Sequence, residues 1–395
     1  MEATCGGNRR RFLKTAATAG AALASANTLL AQAGAKDAVP TVTLGKTGAK
    51  VTKLGMGTSW ALTPSFVQAA IFSGVRYIDT SESYENTKSE KVIGEVLERT
   101  KMRDQVYLVS KNSKGHATGD AAKKAFETRL DESLARLKTD HVDAYYIHGI
   151  SGKEIGMLRD PGVQAAFEHL KKVKKIWFAG LSCHDAKLVE ILDLAAEVGW
   201  IDQIMFKYNF RDVNHDGLQR AIDKASKANI GLVAMKTQGG AVNFPDKMKA
   251  LQEKGFKKEV AAIKTVWMDE RMQVVVSEMT NFSDLRENIA ASREALTPKE
   301  ARLLEEHRKA TAHLYCHGCG HLCESSAQGV PVATVLRYLR YYEAYGKRQE
   351  ARALYQALPP AARALAELDL SGVDAACPFG LPVADLLKTA HRRLA

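Results

Sequence analysis

Residues 75–84 read Val-Arg-Tyr-Ile-Asp-Thr-Ser-Glu-Ser-Tyr, a short apolar run that ends in an acidic residue, Asp79. Working outward, apolar runs of similar length recur at residues 106–111, 142–148, 176–182, 204–208, 230–236 and 274–277. A short hairpin and a first strand are expected before them, up to Thr58. Helical spacing lies between the runs, as in residues 89–99, 121–137 and 187–198. Short, nearly all-apolar strands that alternate with helices are typical of a parallel sheet covered by helices.

Eight candidate strands, each followed by a helix, predict an α/β fold of the closed (β/α)8 or TIM-barrel type. The alternative is a doubly wound sheet, which would carry a G-x-G-x-x-G turn after its first strand. The residues at that place, Gly55-Met56-Gly57-Thr58-Ser59-Trp60, do not supply this turn. We therefore predict a barrel over residues 39–295 and a small, mainly helical domain over residues 296–395.

The amino-acid composition excludes several classes of protein. Of the 395 residues, 46% are hydrophobic and 26% are charged, which excludes a disordered, collagenous or fibrous protein. The formal net charge is +11, but the chain has no basic run interleaved with aromatic residues, so we expect no nucleic-acid partner. Six cysteines are too few for a disulfide scaffold in a chain of this size.

The amino-terminal residues predict an export signal. Residues 8–14, Asn-Arg-Arg-Arg-Phe-Leu-Lys, are typical of the twin-arginine pathway, and an uncharged, Ala-rich stretch follows them. Small residues up to Ala35 fit a cleavage site. We expect residues 1–35 to be removed and the mature protein to be periplasmic or otherwise exported, without stable membrane insertion. An uncleaved membrane anchor and an unrelated soluble tail are the alternatives.

Polar side chains close three successive predicted strands, namely Asp79, Lys111 and His148, and Tyr84 follows Asp79 by five residues. In a barrel these residues meet at the carboxyl rim, where barrel active sites lie. A carbonyl that accepts a hydride also needs a proton, and a phenol with a pKa of about 10 gives up its proton poorly. A neighbouring ammonium is expected to lower that pKa, a carboxylate to hold the lysine, and an imidazole to orient the carbonyl.

The segments around these residues resemble the aldo-keto reductase family. They are Asp79-Thr-Ser-Glu-Ser-Tyr84, Ser89-Glu90-Lys-Val-Ile-Gly94, Leu108-Val-Ser-Lys111 and Tyr146-Ile147-His148, and the resemblance covers roughly residues 40–295. It implies that Tyr84 is the general acid, that Lys111 tunes it, that Asp79 pairs with Lys111, and that His148 positions a small carbonyl substrate. It also implies a nicotinamide cofactor held by residues that include Thr58, Ser182 and Gln203.

Other positions depart from the family pattern. Around the adenosine phosphate, next to Asn288, the family often presents cations, whereas this chain has Glu278 and Asp284. A carboxylate repels a phosphate but accepts hydrogen bonds from a free ribose diol, so NAD(P) binding is expected with NAD favoured over NADP. Beside the nicotinamide, Cys183 replaces an expected Asn, and Met235 stands where an aromatic residue is frequent.

The carboxyl-terminal region holds four of the cysteines, in Cys316-His-Gly-Cys319-Gly-His-Leu-Cys323 and in Cys377-Pro378. This spacing resembles ferredoxin-type cluster ligation. Related tails carry eight cysteines and two clusters, and here Ser326, Leu370 and Val373 stand where further cysteines would be. One [4Fe-4S] cluster bound by Cys316, Cys319, Cys323 and Cys377 is therefore expected. Zinc bound with the help of His317 or His321, and two disulfides, are the alternatives.

Two functions are compatible with these features. The first is an exported oxidoreductase that acts on an aldehyde, ketone or sugar carbonyl by nicotinamide hydride transfer. The second is an iron–sulfur electron-transfer or binding component, with a one-electron redox partner and a vestigial reductase barrel.

A long helical stretch is predicted over residues 332–358. Its basic and aromatic residues, Arg337 to Tyr342, are interpreted as packing between tail helices, with a docking surface as the alternative.

Overall fold

The computed structural model describes residues 38–60, 62–113, 116–238, 257–320, 322–365 and 368–395. The chain divides into two units, Met1–Val39 and Pro40–Ala395, and the second is compact. The predicted export signal, residues 1–35, lies outside the described residues. Within the described ranges, no helix combines the length and apolar character that crossing a membrane requires.

Eight parallel strands close into a barrel, which confirms the predicted (β/α)8 fold. Each barrel strand pairs with the strands before and after it in the chain, and the last of the eight also pairs with the first of the eight. The boundaries lie within two residues of the predicted apolar runs. The strands are β3 (Leu54–Gly57), β4 (Tyr77–Asp79), β5 (Tyr107–Asn112), β6 (Val142–Ile147), β7 (Ile176–Cys183), β8 (Gln203–Lys207), β9 (Gly231–Met235) and β10 (Val274–Glu278).

Helices cover the outside of the barrel. Local sequence fixes their starts and spacing: Pro161 opens one helix, and the carboxylate of Asp160 accepts a capping hydrogen bond of 2.9 Å from the amide of Val163. At Gly94 a Cβ atom would lie 2.4 Å from the carbonyl oxygen of Arg136, so only glycine permits this close approach of two helices. The helices are α1 (Pro64–Phe72), α2 (Lys88–Thr100), α3 (Ala121–Leu137), α4 (Pro161–Lys172), α5 (Leu188–Val198), α6 (Asp216–Lys227), α7 (Lys258–Trp267) and α8 (Phe282–Ala291).

An antiparallel hairpin precedes the barrel, as predicted, and consists of β1 (Thr41–Thr43) and β2 (Lys50–Thr52). Leu44, between these two strands, is fully buried among interior residues of the barrel such as Tyr77, Tyr107 and Tyr146. The hairpin therefore closes the amino end of the barrel and leaves the carboxyl end as the place for a site.

The carboxyl-terminal region is helical, with α9 (Pro298–Thr311), α10 (Val332–Glu343), α11 (Arg348–Gln356) and α12 (Val383–Leu394). The single helical stretch predicted over residues 332–358 is wrong. Two helices are present, and between them Gly346 has a φ of 66°, in the left-handed region that ends a helix. Leu370 and Val373, which stand where related tails hold cysteines, are buried in the apolar core of this region.

Candidate active site

The fold brings the four predicted catalytic residues together at the carboxyl rim of the barrel. Asp79 ends β4, Lys111 lies in β5, and His148 directly follows β6. The ammonium of Lys111 lies 2.6 Å from Asp79 Oδ1 and donates a hydrogen bond of 3.2 Å to the hydroxyl of Tyr84. The rings of Tyr84 and His148 meet edge to face, with centroids 5.5 Å apart.

Three contacts fix the position of the Lys111 side chain. Its side chain is 0% exposed, and its third contact is the carbonyl oxygen of Thr80, at 2.8 Å. An ammonium has three protons, and Asp79, Thr80 and Tyr84 supply one acceptor each. The side chain of Lys111 is thereby fixed against the Tyr84 hydroxyl.

A strained turn presents Tyr84. The three residues after it, Glu85, Asn86 and Thr87, have φ values of 49°, 51° and 73°. Left-handed backbone conformations are unfavourable for residues with a Cβ atom, and they concentrate at functional sites. The turn ends where α2 begins, so the helix supports one side of the Tyr84 loop.

The predicted lowering of the Tyr84 pKa is wrong. Burial raises this pKa well above its usual value, and the negative charges of Asp79 and Glu278 raise it further. Burial likewise lowers the pKa of Lys111 and raises that of Asp79, although each partner's charge opposes the shift. The neighbouring ammonium is visible in the sequence, whereas the loss of solvent around Tyr84 is not. At neutral pH, Tyr84 keeps its proton.

His148 lies among hydroxyl groups that the sequence argument missed. Its Nδ1 atom is 3.0 Å from Ser81 Oγ and also contacts Ser113 Oγ. Burial lowers the pKa of His148 well below its usual value, and the positive charges of Lys111, His116 and Lys236 lower it further. The imidazole is therefore neutral at physiological pH.

Two of the predicted cofactor residues lie at the carboxyl rim and already have partners. The Thr58 hydroxyl donates to the carbonyl oxygen of Asp79 at 2.8 Å and accepts from Ser89 at 2.7 Å. The Ser182 hydroxyl accepts from the amide of Gly149 at 2.9 Å. Cys183, which replaces an expected Asn, is fully buried at the end of β7.

Gln203 lies deeper in the barrel than the other predicted cofactor residues. It begins β8, so it stands at the amino end of that strand. Its side-chain oxygen accepts from Tyr146 at 2.7 Å, and its side-chain nitrogen donates to Tyr107 at 2.7 Å. The amide of Gln203 thus bonds to the tyrosines that fill the barrel interior.

The acidic residues near the predicted adenosine position are also engaged. Glu278, at the end of β10, accepts a hydrogen bond from the Ser59 hydroxyl. Asp284 Oδ2 accepts from the Thr280 amide at 3.2 Å and from the Asn281 side chain at 2.9 Å. Asn288 is buried and donates to Ser277 at 2.8 Å.

The carboxyl-terminal region covers part of the rim, a relationship the sequence argument missed. Lys347 donates to the carbonyl oxygen of Ser59 at 3.1 Å, and Arg337 donates to the carbonyl oxygen of His184 at 3.2 Å. Tyr338, Tyr341 and Tyr342 of α10 pack against the apolar core of the carboxyl-terminal region, as interpreted from sequence. Arg337 and Tyr341 of the same helix also contact the barrel, at His184 and Lys236.

The four carboxyl-terminal cysteines line one cavity, together with His317, Phe379 and several aliphatic residues. No two of the four are joined by a disulfide, and Cys323 is buried. Burial raises the pKa of Cys316, whereas the positive charge of Arg340 lowers it. Within the described ranges, no three His, Cys, Asp or Glu side chains stand close enough to hold a single metal ion. His321 lies outside the described residues.

The family of the chain follows from sequence comparison. The profile of the Aldo/keto reductase family matches residues 54–309, which contain the whole barrel and all four rim residues. The chain belongs to this family. The match ends before the first carboxyl-terminal cysteine.

Individual relatives agree with this assignment. An uncharacterized oxidoreductase of Bacillus subtilis, YqkF, is 28% identical over 137 residues, which are 33% of this chain and 42% of that protein. The chain thus matches less than half the length of this relative. L-galactose dehydrogenase of Arabidopsis thaliana is 25% identical over 278 residues, 63% of this chain and 86% of that protein. An aldo/keto reductase from Klebsiella pneumoniae, solved in complex with NADP and acetate, shares the fold at a TM-score of 0.53 and 23% identity, over 67% of this chain and 94% of that one.

Proposed function

We propose that this protein interconverts the carbonyl and alcohol forms of a small molecule, with a nicotinamide nucleotide as hydride carrier and Tyr84 as the proton donor and acceptor. The contact of Lys111 with both Asp79 and Tyr84 carries this proposal. A structural lysine would be stabilised by the carboxylate alone, whereas here the ammonium also reaches a phenol at the rim.

Each rim residue has one task in this proposal, and the contacts support it. Because Tyr84 Oη accepts a hydrogen bond from Lys111, the phenol's own proton points away from Lys111 and is available to a substrate oxygen. Asp79 keeps Lys111 in place. In this proposal a hydroxyl group beside His148 donates to Nδ1, and the proton on Nε2 is donated to the same carbonyl oxygen.

The polar groups at the ends of β9 and β10 fit a nucleotide. Gln238, Ser277 and Asn288 form a hydrogen-bonded group, with 2.7 Å between Ser277 Oγ and Gln238 Oε1, next to Glu278. Amide, hydroxyl and carboxylate groups are suited to the ribose and amide groups of a dinucleotide. When bound, the nicotinamide supplies or removes the hydride. We propose that Glu278 favours NAD over NADP.

The test is reduction of a panel of aldehydes, ketones and sugars by the purified protein with NADH or NADPH. Consumption of the nucleotide that depends on a carbonyl compound supports the proposal, and its absence over the whole panel contradicts it. Fluorescence titration with both nucleotides tests the preference separately. Tighter binding of NADPH would overturn the role of Glu278.

We also propose that Cys316, Cys319, Cys323 and Cys377 bind one [4Fe-4S] cluster. The four cysteines around one cavity support this. In such a cluster each of the four cysteines would bind a different iron, so the four thiols would not need to meet at one ion.

Export through the twin-arginine pathway is proposed from residues 8–14 alone. The test is cell fractionation of the full chain beside a variant in which Arg9, Arg10 and Arg11 are all replaced by Lys. The proposal predicts that the natural sequence is recovered outside the cytoplasm and that the variant is retained. Equal distribution of the two proteins would contradict it.

A further inference from the structure

A cavity of about 540 Å³ lies between the barrel rim and the carboxyl-terminal region. Its size is in the range of small-molecule sites. Among the described residues that line it, seven are Lys or Arg and three are Asp or Glu. It includes His184, Lys207 and Lys236, which lie at the carboxyl ends of β7, β8 and β9. The cavity therefore lies at the same rim of the barrel as Tyr84 and His148.

The carboxylates of this cavity are already used. Asp212 pairs with Lys207 at 3.0 Å, and Glu190 pairs with Lys187 at 2.9 Å. Asp185 accepts a hydrogen bond of 3.0 Å from the backbone amide of Lys187. The seven basic side chains still outnumber the three carboxylates, so the lining of the cavity carries a net positive charge.

Two of the remaining cations contact only neutral groups among the described residues. Arg337 donates to the ring nitrogen of His184 at 3.0 Å and to its carbonyl oxygen, and Arg337 Nε is buried without a hydrogen-bond partner. Lys236 donates to the Tyr341 hydroxyl at 3.0 Å. Lys236 also has a φ of 57°, so the chain holds it in an unfavourable backbone conformation at the rim. Both side chains are half-buried, and a bound anion would supply the partner of opposite charge that the described residues do not.

The other basic residues of the cavity have different neighbours. Arg340 donates to the carbonyl oxygen of Cys316 at 3.2 Å, and Lys207 donates to that of His317 at 2.7 Å. Both therefore lie beside the cysteines. Arg308 pairs with Glu305 at 2.6 Å. Arg211 donates to the Thr311 hydroxyl at 2.6 Å. Arg337, from α10, and Lys236, from the barrel rim, remain as a pair.

We propose that this cavity binds an anionic small molecule, a carbonyl compound with a carboxylate or phosphate group, and that Arg337 and Lys236 hold its anionic group. This rests on the proposed function, because the carbonyl end is then directed to Tyr84 and His148. The phosphates of the nucleotide are the other source of an anionic group for the same cations, and the experiment separates the two.

The probe is a matched pair of aldehydes, 4-formylbenzoate and its neutral methyl ester. Their binding to the full chain is measured by isothermal titration calorimetry without nucleotide, so that no turnover is needed. The proposal predicts that the carboxylate binds about tenfold more tightly than the ester, because a charged hydrogen bond is gained. Arg337→Gln and Lys236→Gln should each remove most of this preference and leave the ester unaffected.

Controls separate charge from folding. Arg302→Gln changes an exposed arginine of α9 and should keep the preference, and Arg337→Lys should retain part of it. Thermal melting reports whether each variant is folded. If Arg337→Gln does not fold, Lys236→Gln decides the question.

Three results would overturn the inference. They are equal binding of ester and carboxylate, an unchanged preference in the glutamine variants, and weaker NADPH and NADH binding in those variants without a change for 4-formylbenzoate. The last result would assign both cations to the nucleotide. Tight binding of 4-formylbenzoate without turnover with either nucleotide would instead contradict the proposed function and leave the anion site standing.

Discussion

Lys236, directly after β9, donates a hydrogen bond of 3.0 Å to the hydroxyl of Tyr341 in α10. This contact joins the barrel rim to a helix that lies outside the region matched by the family profile. With the contacts of Arg337 and Lys347, it places the carboxyl-terminal region over the rim that carries Tyr84. Access to the rim residues is therefore shaped by a part of the chain that the barrel does not need in order to close.

Removal of the Tyr341 hydroxyl should loosen this contact. Tyr341→Phe leaves the ammonium of Lys236 without its acceptor, and we expect the free energy of unfolding to fall by about 1–2 kcal/mol. Urea denaturation measures the change. Tyr338→Phe is the matched control, since no hydrogen bond of the Tyr338 hydroxyl is seen among the described residues. An equal effect of the two substitutions would contradict the importance of the Lys236 contact.

The Asp79–Lys111 pair should be necessary for stability as well as for chemistry. Asp79→Asn leaves a buried ammonium without its counter-charge, and we expect a loss of about 3–5 kcal/mol in the free energy of unfolding. The control is Asp385→Asn, which removes an exposed carboxylate 3.9 Å from Lys388 and should change stability by less than about 1 kcal/mol. A small effect of Asp79→Asn would show that Lys111 is neutral in the folded protein.

Stability should fall below pH 6.5 because of a buried histidine in α9. His307 is 1% exposed, and burial, together with the charges of Arg211 and Lys258, lowers its pKa to about 4. Between pH 6.5 and 4 the unfolded chain binds a proton that the folded chain does not, so unfolding becomes easier as the pH falls.

His307→Phe should therefore reduce the loss of stability between pH 7 and pH 5 by about 1–2 kcal/mol. Urea denaturation at pH 7 and pH 5 gives the loss of stability for each protein. Because the acidic groups are the same in the variant and in the natural sequence, their contribution cancels when the two losses are compared. His313→Phe, at an exposed position, should behave as the natural sequence does. The same pH dependence in all three proteins would refute the assignment to His307.

The cysteine cavity makes a prediction about iron. After anaerobic purification, the protein should contain about four iron atoms per chain and show the visible absorption of an iron–sulfur cluster. Cys377→Ser should lose most of both, whereas Cys183→Ser, at the buried end of β7, should keep them. Zinc in place of iron, or no metal in the natural sequence, would contradict the proposed cluster.

The barrel and the positions of the rim residues could be predicted because both depend on local pattern. Each strand is a short apolar run, and the polar residue that ends it marks the carboxyl end, as Asp79 and Lys111 show. In a parallel sheet, strand ends lie at one edge, so the convergence of Asp79, Lys111 and His148 follows from the fold class alone.

The failed predictions depended on long-range packing. Lys236 and Tyr341 are 105 residues apart, and Arg337 and His184 are 153 apart, so no local pattern could place the tail over the rim. The direction of the Tyr84 pKa shift was wrong because burial, which a sequence does not display, outweighs the nearby ammonium. The break near Gly346 was missed because the helical spacing continues across it.

Tyr84→Phe tests the central claim most directly, since it removes the phenol hydroxyl and keeps the ring. The measurement is single-turnover oxidation of bound NADH or NADPH by an aldehyde that the natural sequence reduces. We predict a rate at least about 100-fold lower, because general acid catalysis contributes a factor of this order, with nucleotide binding unchanged. A rate equal to that of the natural sequence would contradict the assignment of Tyr84 as the proton donor and, with it, the proposed carbonyl chemistry of this site.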